Sequence, residues 1–293
     1  MTASNALSEY ENNVHSQFGE DGILAEIFNR LGVSQSGEPK WCVEFGAWDG
    51  IYLSNTYNLI ANSDWRAVLI EGDRRRYDDL CRNIPSDAVT KICRFVGFEG
   101  ADSLDAILSK TEIPADFDLL SIDIDGCDYH IWESLQTYKP KVVCIEYNPT
   151  IPVDVPFVQA KDFNVKHGNG VKALDNLAHE KGYRTVALTT TNVIAVREDL
   201  TDKVLPKGIP AIEDIAPESA RQFIFRGYDG TILSNRDALP TGWHGLRMSV
   251  DDIQVIPRYL RTYPHDYSRG QSFLFRFFRI WHKARRLIQG RKI

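Results

Sequence analysis

The sequence predicts an α/β fold in which a mostly parallel, doubly wound sheet is covered by helices on both faces. Three observations support this prediction. Short apolar runs alternate with segments of helical periodicity along residues 21–196, which is the pattern of repeated β-α units. The apolar runs lack polar alternation, as expected for strands buried on both faces. Glycine or acidic residues follow several runs, at the positions where parallel strands place binding residues.

The predicted elements follow one another in a regular order. Residues 21–31 have apolar side chains at helical spacing, and Gly32 ends this first helix. Seven apolar runs predict strands near residues 41–45, 67–70, 92–96, 118–122, 142–145, 184–188 and 193–196. Further helical segments lie near residues 56–61, 77–83, 103–109, 129–135 and 171–181. Only a short turn joins the last two strands, so we expect them to form an antiparallel edge.

The chain divides into three predicted regions. Residues 1–200 hold the α/β core with its N-terminal helix, and residues 201–266 are richer in proline and glycine. We interpret the second region as a lid or a C-terminal elaboration of the core. Residues 267–293 predict a basic amphipathic helix, because residues 273–288 place apolar and basic side chains on opposite faces. Such a helix either contacts an anionic membrane surface, or docks on its own domain or on a second subunit of a homo-oligomer.

The charge of the chain excludes one class of partner. The 293 residues carry a formal net charge of −6. Residues 267–293 contain eight lysine or arginine residues and no acidic residue, so the rest of the chain carries a formal charge of −14. A general nucleic-acid binder needs a basic surface to neutralise phosphates. We therefore expect no nucleic-acid partner.

The cysteines and the N-terminus indicate the cellular compartment. The five cysteines are scattered, mostly in apolar runs and without metal-ligand spacing, so they are predicted to be reduced core residues. The first residues lack the basic and apolar regions of a signal peptide, and no apolar run approaches about 18 residues. We expect a cytoplasmic protein, with a peripheral membrane contact through the C-terminal helix as the alternative left open.

The first predicted strand ends in a glycine-containing turn, Glu44-Phe45-Gly46-Ala47-Trp48-Asp49-Gly50. Glycine lets a ligand approach the backbone closely, and Glu71, after the second strand, is placed to accept hydrogen bonds from ribose hydroxyls. A dinucleotide site would need G-x-G-x-x-G, whereas the spacing here is G-x-x-x-G. Glu44 would repel a pyrophosphate but can hold the amino group of an amino acid. The pattern favours S-adenosylmethionine over NAD.

Four sequence blocks together resemble the FkbM-type methyltransferases. The blocks are His15-Ser-Gln-Phe-Gly-Glu-Asp-Gly-Ile-Leu24, Val43-Glu-Phe-Gly-Ala-Trp-Asp-Gly50 with Leu53-Ser-Asn-Thr-Tyr57, Leu119-Leu-Ser-Ile-Asp-Ile-Asp-Gly126, and Val143-Cys-Ile-Glu-Tyr-Asn148. The resemblance covers about residues 15–197. It implies a doubly wound, seven-stranded, Rossmann-like methyltransferase sheet with a C-terminal elaboration. It also implies S-adenosylmethionine-dependent O-methylation of a hydroxyl on a sugar, such as the deoxysugar rhamnose, or on a glycan.

The same resemblance implies which residues line the cofactor. Those in the matching blocks, together with the acidic end of the second strand, are Ser16, Gln17, Glu44, Gly46, Asn55, Glu71 and, near the amino acid end of the cofactor, Asp123. Phe98 lies just past the third strand and is either an adenine neighbour or a core residue.

A second group of polar residues follows the fourth and fifth strands. The run LLSIDIDGCDY delivers Asp123, Asp125 and Asp128 into one loop, and Glu146 and Asn148 end the next strand. Carboxylates are costly to bury unless they are paired, hydrogen-bonded or metal-bound, so this group is a functional candidate. Asp128 alone is also expected as the N-cap of the following helix. The oxygen atoms of Asp125, Glu146 and Asn148 would suit Mg²⁺ or another hard divalent cation.

Methyl transfer to a hydroxyl requires an aligned acceptor oxygen and removal of a poorly acidic proton, by a base or with a metal ion. The candidate bases are Asp125, which we place first, then Glu146 and His130, with His167 and His244 as further histidines. Trp243 would stack on a sugar face or fill a core gap.

Two other functions remain open from the sequence. One is a non-catalytic, membrane-associated scaffold with the same fold, against which the acidic and glycine residues at the strand ends count. The other is an O-methyltransferase of a small phenolic or polyketide hydroxyl. That enzyme would have an apolar acceptor pocket, whereas a sugar requires a polar one.

Overall fold

The chain forms two compact units, Met1–Arg221 and Gln222–Ile293. The computed structural model describes residues 7–33, 37–62, 64–217, 221, 223–236, 244–246 and 248–288. The first unit contains the large sheet, and the second contains a small hairpin and a long helix. Whether residues 201–266 act as a lid stays a prediction.

A seven-stranded sheet forms the centre of the first unit. Its strands are β1 (Lys40–Phe45), β2 (Trp65–Glu71), β3 (Val89–Cys93), β4 (Leu119–Ile122), β5 (Val142–Glu146), β6 (Tyr183–Leu188) and β7 (Asn192–Arg197). Their order is β3-β2-β1-β4-β5-β7-β6. The first five strands pair in parallel, and β7 is antiparallel to both of its neighbours. This confirms the predicted doubly wound, Rossmann-like, seven-stranded sheet and its antiparallel edge.

Eight α-helices are described in the first unit. They are α1 (Glu20–Leu31), α2 (Tyr57–Asn62), α3 (Arg74–Asn83), α4 (Leu104–Leu108), α5 (Asp128–Ser134), α6 (Val171–Glu180), α7 (Thr201–Val204) and α8 (Ile212–Ile215). Local sequence sets their ends. Gly32 closes α1 with a left-handed φ of +72°, and the Asp73 carboxylate caps α3 by accepting hydrogen bonds from two backbone N–H groups.

Two cores lie on opposite faces of the sheet. Val43 and Phe45 of β1 belong to one core, and Cys42, which precedes Val43 in the strand, belongs to the other. The first core takes side chains from α4, α5 and α6, and the second from α1, α2 and α3. Because neighbouring residues of a strand point to opposite faces, a strand covered by helices on both sides is apolar throughout. This explains the unbroken apolar runs of the sequence.

The strand register brings the carboxyl ends of the parallel strands to one edge. Phe45, at the end of β1, pairs with Ile70 of β2 and with Ile122 of β4. Glu146, at the end of β5, pairs with Asn192, the first residue of the antiparallel β7. The turns after β1, β2, β4 and β5 therefore meet along one edge of the sheet, where ligands bind in open α/β folds.

The prediction for β3 was displaced along the chain. The strand spans Val89–Cys93, in register with 67–71 of β2, and not residues 92–96. Because β3 is an edge strand, it tolerates the polar Thr90 and Lys91, and the strand therefore has no continuous apolar run in the sequence. The prediction that the cysteines are core residues was also wrong at Cys93, which is exposed.

The second unit contains the hairpin of β8 (Ile224–Arg226) and β9 (Ile232–Ser234) and the helix α9 (Arg269–Ile288). The predicted amphipathic helix is thus present and begins four residues before the amphipathic pattern of residues 273–288. Among the helices that the structure describes, none has the length and apolar character needed to cross a membrane.

Candidate functional site

The turn after β1 places Gly46 directly against the end of β4. Gly46 has a φ of +77°, and a Cβ atom at this position would lie 1.7 Å from the carbonyl oxygen of Asp123. The backbone nitrogens of Gly46 and Ala47 both donate to the carbonyl oxygen of Ile70, at 3.1 and 3.2 Å. The turn therefore lies across the ends of β2 and β4, and its backbone leaves no space for a larger residue at position 46.

Glu71 is held rigidly at the end of β2. Its two carboxylate oxygens accept hydrogen bonds from the backbone nitrogens of Trp48, at 2.8 Å, and Asp73, at 2.7 Å. Each carboxylate oxygen can accept a second hydrogen bond, so the group keeps acceptor capacity for a ligand. The Trp48 ring is partly exposed beside it, with the Arg76 guanidinium 3.6 Å from the ring centroid. Glu71 thus links the turns after β1 and β2.

The carboxylate of Glu44, by contrast, accepts its hydrogen bonds from residues of the segment after β1. It is buried and accepts hydrogen bonds from Ser54 Oγ at 2.6 Å, Thr56 Oγ1 at 2.8 Å and the backbone nitrogen of Asn55 at 3.0 Å. Burial raises the pKa of Glu44, and these hydrogen bonds oppose the shift. The Asn55 side chain continues the network to Ser121 Oγ of β4 at 3.2 Å. Glu44 and Asn55 therefore fix the segment after β1, and their contact with a cofactor stays a prediction.

The segment before α1 is folded onto the same edge of the sheet. One carboxylate oxygen of the buried Asp21 accepts hydrogen bonds from the backbone nitrogens of Val14, His15 and Ser16 at 2.7–2.9 Å. Ser16 Oγ accepts one from the Asp21 nitrogen at 3.0 Å, so Ser16 holds its own turn. Glu20 reaches the β6–β7 turn through hydrogen bonds from Thr189 Oγ1 and Asn192 Nδ2.

The other predicted residue of this segment, Gln17, lies in a polar groove. The groove has a volume of about 340 Å³, and its lining residues include Gln17, Asn13 and Thr190 of the β6–β7 turn. Gln17 is therefore accessible, whereas Ser16 is buried in its turn. Contact of either residue with a cofactor stays a prediction.

Three carboxylates from β4 and β5 form an acidic cluster. One oxygen atom from each of Asp123, Asp125 and Glu146 lies within 4.8 Å of the others. Loss of hydration, followed by the charges of Asp128 and Asp125, raises the pKa of Asp123 to about 7, although part of its side chain reaches solvent. Loss of hydration and the neighbouring charge of Asp123 raise the pKa of Glu146 to about 10. Glu146 therefore holds a proton at neutral pH and donates it toward Asp123.

The loop between β4 and α5 shapes this cluster. Asp128 is buried and accepts hydrogen bonds from the backbone nitrogens of Ile124 and Gly126, each at 2.8 Å. The loop also holds Asp125 in the left-handed region, at a φ of +57°. Asp128 is the first residue of α5 and Cys127 is the N-cap, so the prediction of Asp128 as N-cap was wrong: its carboxylate bonds to the preceding loop instead. Asp123 and Asp125 reach solvent.

Two buried amides that the sequence analysis missed organise residues 148–169. Gln159 Oε1 accepts hydrogen bonds from the backbone nitrogens of His167 and Gly168, each at 3.0 Å, and its Nε2 donates to the Val165 carbonyl at 3.0 Å. Asn169 Nδ2 donates to the Gly126 carbonyl at 2.8 Å. The segment is thus tied to the loop that carries the acidic cluster. Glutamine is usually exposed, so nothing in the sequence distinguished this one.

Lys166 connects the same segment to the loop that contains Asp123 and Asp125. Its Nζ donates to the carbonyl oxygen of Ile124 at 3.0 Å, between Asp123 and Asp125 in the chain. This hydrogen bond brings a positive charge to the loop that carries two of the three clustered acids.

Asn148 and His130 have other partners than the predicted ones. Asn148 Oδ1 accepts hydrogen bonds from Thr150 N and Oγ1 at 2.9 and 2.7 Å, so Asn148 closes its own turn. In the predicted group of metal ligands, Asp123 therefore takes the place of Asn148 beside Asp125 and Glu146. His130 Nε2 lies 2.9 Å from the Gln159 carbonyl oxygen, which only accepts, so this nitrogen carries the hydrogen. His130 Nδ1 is buried without a hydrogen bond.

Among the remaining candidates, Phe98 and His167 contact or belong to residues 148–169. Phe98 stacks on Phe163 with 4.4 Å between ring centroids, so in this structure it packs against the 148–169 segment. His167 lines a groove of about 430 Å³ whose walls combine apolar and polar side chains: Asn148, Thr150, Ile151, Pro152, Val155, Phe157, Lys166 and His167. His244 belongs to the second unit, and Trp243 lies outside the described residues.

The donor set of the acidic cluster fits a hard divalent cation. It offers three carboxylates on neighbouring strand ends, close enough for one ion to contact all of them. A cation would take the place of the proton that Glu146 now holds. The end of β2 likewise fits the ribose of a nucleoside, because Glu71 is a fixed acidic acceptor there and the exposed Gly46 leaves the backbone of the neighbouring turn accessible.

Comparisons with known proteins give remote similarity. No protein-family model matches the chain, and no curated protein matches it. Among solved structures, TYW2 from M. jannaschii in complex with AdoMet is 16% identical, with a TM-score of 0.35 over 63% of this chain and 77% of that chain. A putative caffeoyl-CoA O-methyltransferase from Staphylococcus aureus is also 16% identical, with a TM-score of 0.38 over 59% of this chain and 83% of that chain.

A third structure, LepI in complex with SAM, is 10% identical, with a TM-score of 0.39 over 58% of this chain. The match spans only 46% of the LepI chain, somewhat under half of its length. Likeness at this level carries no conclusion about the cofactor or the substrate of the present chain.

Proposed function

We propose that the chain is an S-adenosylmethionine-dependent O-methyltransferase that acts on a hydroxyl of a sugar or glycan. The observation that carries this proposal is the meeting of two features at one sheet edge. The Gly46 turn, with Glu71 fixed beside it, lies directly against the strand end that carries the acidic cluster of Asp123, Asp125 and Glu146. A cofactor site and a proton-accepting site are therefore neighbours.

In the proposed complex, the cofactor lies along the exposed backbone of the Gly46 turn, and Glu71 accepts hydrogen bonds from its ribose hydroxyls. S-adenosylmethionine supplies an activated methyl group on a sulfonium centre. Gln17 is accessible and contributes from the N-terminal segment, while Glu44, Asn55 and Ser16 act by holding the surrounding turns in place.

The acidic cluster has the properties of a proton acceptor. A general base works best when its pKa lies near the working pH, and the pKa of Asp123 is raised to about 7. Glu146, with its higher pKa, holds its proton and orients the Asp123 carboxylate. As an alternative to this base, Asp123, Asp125 and Glu146 would hold a divalent cation. The cation would then supply the lowering of the acceptor hydroxyl's pKa, and Asp123 would serve as a ligand and not as the base.

The groove beside Lys166 and His167 is proposed to bind the acceptor. Its volume of about 430 Å³ exceeds the needs of one hexose, and it offers both hydrogen-bonding groups and the apolar side chains of Ile151, Val155 and Phe157. A deoxysugar presents hydroxyls together with a methyl group and suits such a mixed surface. Because these apolar side chains would also suit an aromatic ring, a small phenolic hydroxyl is a second candidate acceptor.

Calorimetric titration with S-adenosylhomocysteine tests the cofactor. We expect saturable binding to the wild type, no binding of NAD, and at least about tenfold weaker binding to Glu71→Gln, because the variant loses an acceptor for the ribose. Asp87→Asn is the matched control, since Asp87 is exposed in the turn before β3, at the opposite edge of the sheet. Thermal unfolding of each variant separates lost binding from lost folding.

Acceptor assays with labelled S-adenosylmethionine then distinguish the substrates. Transfer to deoxysugars or their glycosides supports the sugar proposal, and transfer only to phenols replaces it with the second candidate. If folded wild-type protein binds no S-adenosylhomocysteine, the methyltransferase proposal is wrong and the scaffold alternative takes its place.

A further inference from the structure

Helix α9 carries a continuous apolar face. At 3.6 residues per turn, eight of its residues fall within an arc of about 140°. They are Phe273, Leu274, Phe277, Ile280, Trp281, Ala284, Leu287 and Ile288, and together they define the apolar face of α9. Several of these large side chains are more than half exposed, including Ile280 at 68%, Leu287 at 66% and Ile288 at 87%. A monomeric soluble protein rarely leaves such a patch uncovered.

The helix contacts its own unit through a different side. Phe275 packs against Tyr267 with 5.3 Å between ring centroids, and Gln271 Nε2 donates a hydrogen bond to the carbonyl oxygen of Tyr259 at 3.1 Å. Gln271 and Phe275 are half-buried, as are Phe278 and His282, which stack on each other within the helix. The residues of the apolar face are mostly exposed. The helical period places Phe275, Phe278 and His282 away from the centre of the apolar face. The attachment of α9 therefore does not use the apolar face.

Basic residues border the apolar face and fill the rest of the helix. Arg276 and Arg285 flank it on its two sides, with Arg279, Lys283 and Arg286 beyond. Residues 267–293 contain no acidic side chain. Long basic side chains beside an apolar stripe can extend their charged ends toward lipid headgroups while their stems cover apolar surface.

We propose that α9 lies in the interface of an anionic lipid bilayer, with its apolar face among the acyl chains and its arginine and lysine residues at the headgroups. The helix runs parallel to the bilayer surface, since 20 residues with six basic side chains are not a membrane-spanning segment. Trp281 lies near one border of the apolar face, where an indole sits favourably at the interface.

Charge favours a lipid surface over a second copy of the chain. A dimer through this face would bring together two helices that each carry six basic residues and no acidic one, and like charges oppose such an approach. An anionic bilayer supplies the opposite charge and an apolar layer at once. This inference does not depend on the proposed methyltransferase activity, because the helix belongs to the second unit and its binding is measured without a substrate.

Sedimentation of the full-length chain with lipid vesicles tests the inference. We expect binding to vesicles of phosphatidylcholine mixed with phosphatidylglycerol, and at least about tenfold weaker binding to phosphatidylcholine alone. Ile280→Asp should weaken binding at least about tenfold, because a charge enters the centre of the apolar face. Tyr228→Asp is the matched control: it introduces the same charge at a 94% exposed aromatic residue between β8 and β9 and should bind as the wild type does.

A second pair of variants separates charge from apolar contact. The double variant Arg276→Glu, Arg279→Glu should weaken binding to anionic vesicles. For the wild type, high salt should reduce the difference in binding between anionic and phosphatidylcholine vesicles. Circular dichroism and thermal unfolding confirm that each variant keeps its fold. Equal binding of wild type and Ile280→Asp, or no binding of the wild type, would overturn the proposal. So would a wild-type dimer that Ile280→Asp converts to a monomer without any binding to vesicles.

Discussion

The carbonyl oxygen of Asp123 lies 1.7 Å from the position that a Cβ atom of residue 46 would occupy. Gly46 and Asp123 thus set the distance between the turn after β1 and the end of β4. The first belongs to the proposed cofactor site and the second to the acidic cluster, so the packing of these two backbones brings the two sites together.

Gly46→Ala should therefore be strongly destabilising. The methyl group would displace the Asp123 backbone in addition to the left-handed strain, and we expect a loss of about 3 kcal/mol or more in the free energy of unfolding. Gly32→Ala is the matched control, because Gly32 has a similar φ of +72° and a Cβ atom there would meet nothing within 4 Å. It should lose only about 1 kcal/mol. Urea unfolding measures both, and equal losses would contradict the packing argument.

Glu146→Gln should change how stability depends on pH. The folded protein keeps the Glu146 proton up to a pKa of about 10, whereas the unfolded chain loses it near the ordinary value of 4.5. The folded state binds more protons in this window, so stability falls as pH rises through it. The glutamine variant lacks this loss. At about pH 9 its free energy of unfolding should exceed that of the wild type by on the order of 1 kcal/mol.

Thermal unfolding across this pH range, with a chelator present, measures the effect. Glu99→Gln removes an exposed carboxylate elsewhere and should follow the wild-type pH profile. A Glu146→Gln profile parallel to that of the wild type would show that Glu146 is ionised in the folded protein.

Divalent cation binding should release a proton. At about pH 8, above the pKa of Asp123 at about 7 and below that of Glu146 at about 10, the acidic cluster holds the Glu146 proton, and a cation bound by Asp123, Asp125 and Glu146 must displace it. Titration with Mg²⁺ or Mn²⁺ in two buffers of different ionisation enthalpy counts the protons, and we expect about one. Asp125→Asn should weaken binding at least about tenfold. Cation binding that survives in Asp125→Asn would locate the ion elsewhere.

Gln159→Leu should loosen the segment that forms the groove. The substitution leaves the backbone nitrogens of His167 and Gly168 and the Val165 carbonyl without their partner, and we expect a loss of about 2–3 kcal/mol. The segment should also gain sensitivity to proteolysis. Gln136→Leu, at an exposed glutamine after α5, serves as control, and similar protease sensitivity of the two variants would argue against the role of Gln159.

Much of the fold was predictable because its signals are local. The apolar runs of β1, β2, β4 and β5 are long enough to identify buried parallel strands, and Gly32 marked the end of α1. The apolar pattern of the edge strand β3 is weaker, because several of its residues are partly exposed and need not be apolar.

The site was predictable at the level of strand ends and not at the level of individual contacts. Asp123, Asp125 and Glu146 follow neighbouring parallel strands, so the topology alone brings them to one edge. The sequence could not distinguish the carboxylate of Glu44, whose hydrogen bonds go to Ser54, Thr56 and Asn55, from that of Glu71, which keeps acceptor capacity. That difference depends on how each turn folds.

The sequence by itself determined the layered α/β architecture, the edge of the sheet where polar residues gather, and the amphipathic character of α9. These follow from periodicity and residue type, which act over short stretches of chain. Only the tertiary structure decided that Asp123 joins the acidic cluster, that Asn148 closes its own turn, and that Gln159 and Asn169 tie residues 148–169 to the β4–α5 loop. Such contacts join residues far apart in sequence, and hydrogen-bond geometry selects among partners of the same chemical type.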